Sequence, residues 1–200
     1  MKLCFSPTSP YVRKVLACAI AREIDSQIEL VPTDANASSA EFVAINPLSK
    51  VPALVTEDGV ALFDSPVICE YLDSVGDALP MFPTHGAARW RALKLQAMGD
   101  GILDASVPRR AELQKPQDEG RVAWIARQKA AVDRTLDALE VDPPHRTVDI
   151  GSITIACALG YLDFRYAMQP WRPTHPKLAA WYEAFAQNPG IAKTVPKDAA

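Results

Sequence analysis

The stretch Lys50-Val51-Pro52-Ala53-Leu54-Val55-Thr56-Glu57-Asp58-Gly59-Val60-Ala61-Leu62-Phe63-Asp64-Ser65-Pro66 decides the fold. Two apolar runs, 51–55 and 60–63, flank Thr56-Glu57-Asp58-Gly59. Asp-Gly between such runs is a strong hairpin signal, so the runs are read as antiparallel neighbours in a sheet. Asp64-Ser65-Pro66 then opens a helix, with Val67, Ile68, Tyr71 and Leu72 expected on its buried face.

Upstream, Lys2-Leu3-Cys4-Phe5 reads as a strand closed by Ser6-Pro7-Thr8-Ser9-Pro10. Val12, Val15, Leu16, Ala19 and Ile20 recur at helical spacing, with Ser9 as N-cap and Pro10 at the first helical position, where no backbone donor is needed. Residues 27–31 form a second strand candidate and 38–45 a short helix candidate. Strand, helix, strand, helix, hairpin, helix predicts an α/β unit with a mixed four-stranded sheet.

Downstream, residues 76–86 contain Pro80 and Pro83 and read as a linker. The remainder is helical or loop. One helix is expected over 87–107, stopped by Pro108, and a second over 118–140 with Val122, Ile125, Val132, Leu136 and Leu139 on one side. The run 150–168 is the most apolar and is the expected core helix; 177–187 closes the set. The chain thus divides into an α/β domain (1–76), a linker (77–86) and an all-α domain (87–200).

A net charge of −3, with no basic run, excludes an electrostatic footprint for nucleic acid. No stretch approaches the roughly 18 consecutive apolar residues of a membrane helix, and no apolar leader opens the chain, so a cytoplasmic location away from membranes is expected. Cys4, Cys18, Cys69 and Cys157 lie far apart in apolar segments and form no CxxC, which predicts buried free thiols. His85, His145 and His175 are equally scattered, so no metal site is expected.

Three pieces of the first half have a functional reading beside a structural one. Pro52 starts a strand, a tolerated position; a cis Val51–Pro52 bond would in addition turn the Val51 N–H and C=O toward an extended peptide ligand. Asp64-Ser65-Pro66 is an ordinary helix start, yet its N–H groups and hydroxyl can receive a carboxylate while the Asp64 carboxylate binds an ammonium, together fitting an amino-acid head. Ser9 is an N-cap whose hydroxyl can also donate to a ligand thiolate at the helix start, where thiol pKa values fall. Ser6 and Thr8 compete with it.

Taken in order, Ser9-Pro10, Lys50-Val51-Pro52-Ala53-Leu54 and Asp64-Ser65-Pro66-Val67-Ile68-Cys69-Glu70-Tyr71-Leu72 resemble the N-terminal domain of glutathione S-transferases. The resemblance implies a thioredoxin-like domain, with Ser9 activating the glutathione thiol, Val51 and Pro52 holding the cysteinyl backbone, and Asp64 with Ser65 holding the γ-glutamyl head. The family spacing from the isoleucine closing the first helix, Ile24 here, selects Ser9. Two positions depart from the pattern: Asp64 stands where Glu or Gln is commoner, and Glu23 replaces a glycine, so the first helix should end without a left-handed cap.

The second half resembles the family too. Its central helix tends to begin with a capping box, and Asp149-Ile150-Gly151-Ser152 looks like that box with acid and hydroxyl exchanged. Residues 176–189 resemble the family's closing helix. The implied function is conjugation of glutathione, a co-substrate with no other cofactor, to a small hydrophobic electrophile, in a homodimer. A glutathione-dependent peroxidase or reductase, or a non-catalytic glutathione binder, are the alternatives; serine at position 9 disfavours the reductase. Arg109, Arg110 and Gln114 are candidates for the second-substrate cleft. Asp100 and Asp104 sit where some members reach glutathione across the dimer.

Overall fold

The computed structural model describes residues 1–75 and 78–197, so the expected domain boundary at 76/77 lies outside the described residues, as do residues 198–200. The sheet strands are β1 (Lys2–Phe5), β2 (Glu29–Pro32), β3 (Ala53–Val55) and β4 (Ala61–Leu62), in the order β2-β1-β3-β4. β1 and β2 are parallel and therefore need a crossover, supplied by α1 (Pro10–Ala21); β3 runs antiparallel to both β1 and β4.

Alternation along the strands sorts the core. Leu3 and Leu54 point to the face covered by α1 and α3 (Ser65–Ser74), against Val15, Cys18, Ile68 and Leu72. Cys4 and Ala53 point the other way, onto Phe42 of α2 (Ala40–Ile45). β2 begins two residues later than expected because Asp25–Gln27 form a 3₁₀ turn and the register on β1 starts at Glu29. On α3 the buried face is Ser65, Ile68, Cys69 and Leu72, whereas Val67 is exposed.

The helical half contains α4 (Gly86–Leu113), α5 (Glu119–Val141), α6 (Ile150–Arg165), α7 (Pro176–Phe185) and the short α8 (Pro189–Ala192). Every residue of α6 from Ile150 to Leu162 is buried, as its composition predicts. α4 packs along it because glycines allow close approach: a Cβ at Gly151 would lie 2.6 Å from the Ala92 carbonyl oxygen.

Two expectations are corrected. Pro108 does not stop α4, which continues through it to Leu113. The far end is pinned to α6: the Tyr166 hydroxyl donates to the Ser106 carbonyl (2.7 Å), and Arg109 stacks over the Tyr166 ring at 4.7 Å. These contacts offset a proline cost of about 3 kcal/mol. The first helix, for its part, does end in a left-handed residue. Glu23 has φ 59°, and Glu23 N–H to Ile20 C=O (3.1 Å) with Ile24 N–H to Ala19 C=O (3.0 Å) complete a Schellman motif without glycine. Burial of Ile24 beside Ala19 in the core holds that geometry.

Candidate functional site

A cleft of about 1280 Å³ opens between the sheet half and the helical half. It exceeds the 300–1,000 Å³ or so typical of a single small-molecule site. Ser9, Val51, Pro52, Asp64 and Ser65 all line it, so the structure brings these separated sequence pieces to one wall.

Each is placed by its local backbone. Ser9 is the N-cap of α1: its Oγ accepts from the Val12 N–H at 3.3 Å, and its N–H donates to the Ser6 carbonyl at 3.2 Å. Capping consumes a lone pair on Oγ and leaves the hydroxyl proton to donate. Ser6 and Thr8 also face the cleft, but neither caps the helix.

The Val51–Pro52 bond is cis, and among the described residues nothing hydrogen-bonds to the Val51 N–H or C=O. Asn46, just past α2, builds the loop before it. Its buried amide donates to the Lys50 carbonyl (2.7 Å) and its Oδ1 accepts from the Leu48 N–H (3.0 Å). Asn before Pro signals a turn, but the partner four residues on emerges only in the folded loop.

Asp64 occupies the N-cap of α3, yet its side chain makes no capping bond and is exposed. Among the described residues its carboxylate has no hydrogen bond or ion pair. Ser65, the first residue of α3, is buried, and its N–H precedes the first intrahelical bond, from Ile68 to Asp64. An uncommitted carboxylate therefore stands beside an open helix N-terminus.

The opposite wall comes from α4 and α6. Asp104 lines it and accepts a hydrogen bond from the Tyr11 hydroxyl at 2.5 Å. Burial and that carboxylate push the Tyr11 phenol above its ordinary range, so it remains a protonated donor. Arg110 and Gln114 line the cleft as expected, joined by Tyr161 and Arg165, which sequence reading did not single out. Two candidates fall elsewhere. Arg109 turns inward, is 4% exposed, and donates to Gln169 while stacking on Tyr166. Asp100 lies behind the cleft wall, paired at 2.6 Å with the fully buried Lys14 of α1. Burial pushes the Asp100 carboxyl up while Lys14 opposes that shift.

The four cysteines are free and buried. Burial pushes the Cys157 thiol up to about 11 and the Cys18 thiol well above its ordinary value, so neither is a nucleophile at neutral pH. Among the described residues no group of His, Cys, Asp and Glu is spaced to hold a metal, and no helix is long and apolar enough to cross a membrane.

Two family models match the chain. "Glutathione S-transferase, N-terminal domain" matches residues 8–75 and "Glutathione S-transferase, C-terminal domain" matches 122–184. The uncharacterized GST-like protein YibF of Escherichia coli K12 is 37% identical over the full length of both chains. A glutathione transferase family member from Pseudomonas fluorescens Pf-5, solved with bound glutathione, is 40% identical with a TM-score of 0.91, covering 98% of this chain and 99% of that one. A second structure of a family member from that organism, with bound S-(propanoic acid)-glutathione, is also 40% identical, with a TM-score of 0.87 and coverage of 99% and 100%. With both domain models matched and end-to-end identity to these relatives, the chain belongs to the glutathione S-transferase family.

Proposed function

We propose that this protein binds glutathione along the Ser9–Val51–Ser65 wall and conjugates its thiolate to a small electrophile. The observation that carries the reading is the uncommitted set on that wall: the Asp64 carboxylate, the Ser65 N–H, the Val51 backbone pair and the Ser9 hydroxyl proton. Each complements one part of a γ-glutamyl tripeptide. The Asp64 carboxylate takes the α-ammonium, and the start of α3 takes the α-carboxylate, helped by the helix dipole. Val51 pairs in extended fashion with the cysteinyl backbone. That places the thiol at the start of α1, where Ser9 donates to the thiolate.

Hydrogen bonding to the charged form is enough to lower the thiol pKa; Ser9 need not take the proton, which leaves to water. The thiolate then forms an S–C bond. In a displacement, the leaving group departs with its bonding pair. In an addition, the π pair moves to the adjacent carbon, which takes a proton from water. The two Pseudomonas structures support the reading, since one holds glutathione and the other S-(propanoic acid)-glutathione.

The test is an ultraviolet titration of bound glutathione. The thiol is expected to ionise at least about one unit below the ordinary thiol value of roughly 8.5. Ser9→Ala should restore the free value and slow conjugation tenfold or more, while calorimetry finds glutathione affinity within twofold of the parent. A bound thiol that titrates like free glutathione would leave a binding protein and remove the transferase.

A further inference from the structure

The cleft wall built by α4 and α6 carries charged and polar side chains among its apolar ones, which gives an electrophile more than a hydrophobic surface to meet. Along α4, Asp104, Val107, Pro108, Arg110, Ala111 and Gln114 face the cleft. Asp104 and Arg110 are six residues apart, or about 9 Å along a helix, so the wall has an acidic end and a basic end. The acidic end is engaged: Asp104 accepts from Tyr11. The basic end is not. Arg110 is half-buried and makes no hydrogen bond, ion pair or ring contact among the described residues, unlike Arg109 beside it.

Other donors converge there. Tyr161, on α6, is 5% exposed, lines the cleft, and its hydroxyl has no hydrogen-bond partner among the described residues. Burial raises its phenol pKa, against an opposing pull from Arg110 and Arg165, so the hydroxyl stays a protonated donor. Gln114 adds an amide one turn beyond Arg110, and Arg165 lines the same corner. Guanidinium, phenol and amide donors together match a planar acceptor with two oxygens. Arginine is the side chain best shaped for that, because its fork meets a carboxylate with two parallel bonds.

We propose that Arg110, with the Tyr161 hydroxyl, forms a carboxylate-binding subsite that selects electrophiles carrying a carboxylate. The assignment rests on the glutathione reading above, because the electrophile must lie between the thiol at Ser9 and this corner. Arg110 is a specificity residue: it holds the acid group of the acceptor and takes no part in activating sulfur. The γ-glutamyl carboxylate has its own partner at the start of α3 on the other wall, so that head group does not need Arg110.

Calorimetry on the full chain with three ligands decides this: glutathione, glutathione carrying propanoic acid on sulfur, and the matching propanamide. The acid should bind at least tenfold more tightly than the amide. Arg110→Gln should erase that preference while leaving plain glutathione within twofold, and Arg110→Lys should keep part of it. Equal binding of acid and amide by the parent overturns the subsite but leaves the glutathione site standing. So does an acid preference that survives Arg110→Gln. A loss of plain glutathione affinity as large as that of the acid shows that Arg110 serves glutathione itself, which also overturns the proposal. If none of the three binds, the glutathione reading fails and the subsite goes with it.

Discussion

Two helices of this chain begin with aspartate and a nearby serine, and they do opposite things. At α6, Asp149 Oδ1 accepts from the Ser152 N–H (2.8 Å) and the Ser152 hydroxyl accepts from the Asp149 N–H (2.9 Å), closing a reciprocal capping box. At α3, Asp64 makes no capping bond, and Val67 at the third helical position has no polar side chain to complete a box. The first start is satisfied from within and buried against α4. The second keeps its carboxylate and its first N–H open to a cleft. A helix N-terminus becomes a binding site when the chain declines to cap it and the fold gives it a cavity to face.

Substitutions at the two starts should separate stability from binding. The largest effect is expected at Gly151, inside the closed start. Gly151→Ala pushes a methyl group into the Ala92 carbonyl and the Leu95 Cβ, at 2.6 and 2.7 Å. A loss of about 3 kcal/mol in urea unfolding is expected, at the upper end for overpacking because a backbone atom is the obstacle. Next, Asp64→Ala removes the uncommitted carboxylate at the open start. Glutathione affinity should fall by about 2 kcal/mol, a charged hydrogen bond's worth, with the unfolding midpoint unmoved. A midpoint that drops with it would make Asp64 a cap after all.

Asp149→Ala makes the mirror-image change. It should cost about 1 kcal/mol of stability and leave glutathione affinity alone. Smallest is Glu23→Gly at the other end of α1. Relieving a left-handed non-glycine residue should stabilise by about 0.5 kcal/mol, since glycine's greater unfolded-state entropy offsets part of the gain. If Glu23→Gly destabilises instead, the Glu23 side chain contributes something beyond the cap.

Ionisation adds a fifth handle, on the buried side. The folded-state pKa of Cys157 is raised to about 11, so its contribution to stability is complete below the unfolded thiol value. It should be lost as pH rises from near 9 toward 11, and the Cys157 thiol should resist alkylation at pH 8 until urea unfolds the chain.

Much of the site was legible before folding. Ser9, Pro52, Asp64 and Ser65 carry local signatures: a cap before a proline, a proline at a strand start, an acid–hydroxyl pair opening a helix. Arg109 and Arg110 were not separable. One helical step turns a side chain by about 100°, enough to send Arg109 into the core and Arg110 to the cleft. Val67 and Cys69 show the same limit, since the sheet chose the Cys69 side of α3. Asp100 and Asp104, one turn apart on α4, went to different partners, Lys14 behind the wall and Tyr11 in front of it.

What the sequence by itself determined was therefore the order of elements, the hairpin at Asp58-Gly59, the caps of α1 and α6 and the local starts at Ser9, Pro52 and Asp64 that line the cleft. All of these depend on neighbours a few positions away. Only the tertiary structure decided that α4 would run through Pro108, that Asp64 would be left uncapped toward a cleft, and that Arg110 would face Ser9 across it. Those outcomes depend on which face of a helix meets another element, and that is set by packing between segments far apart in the chain.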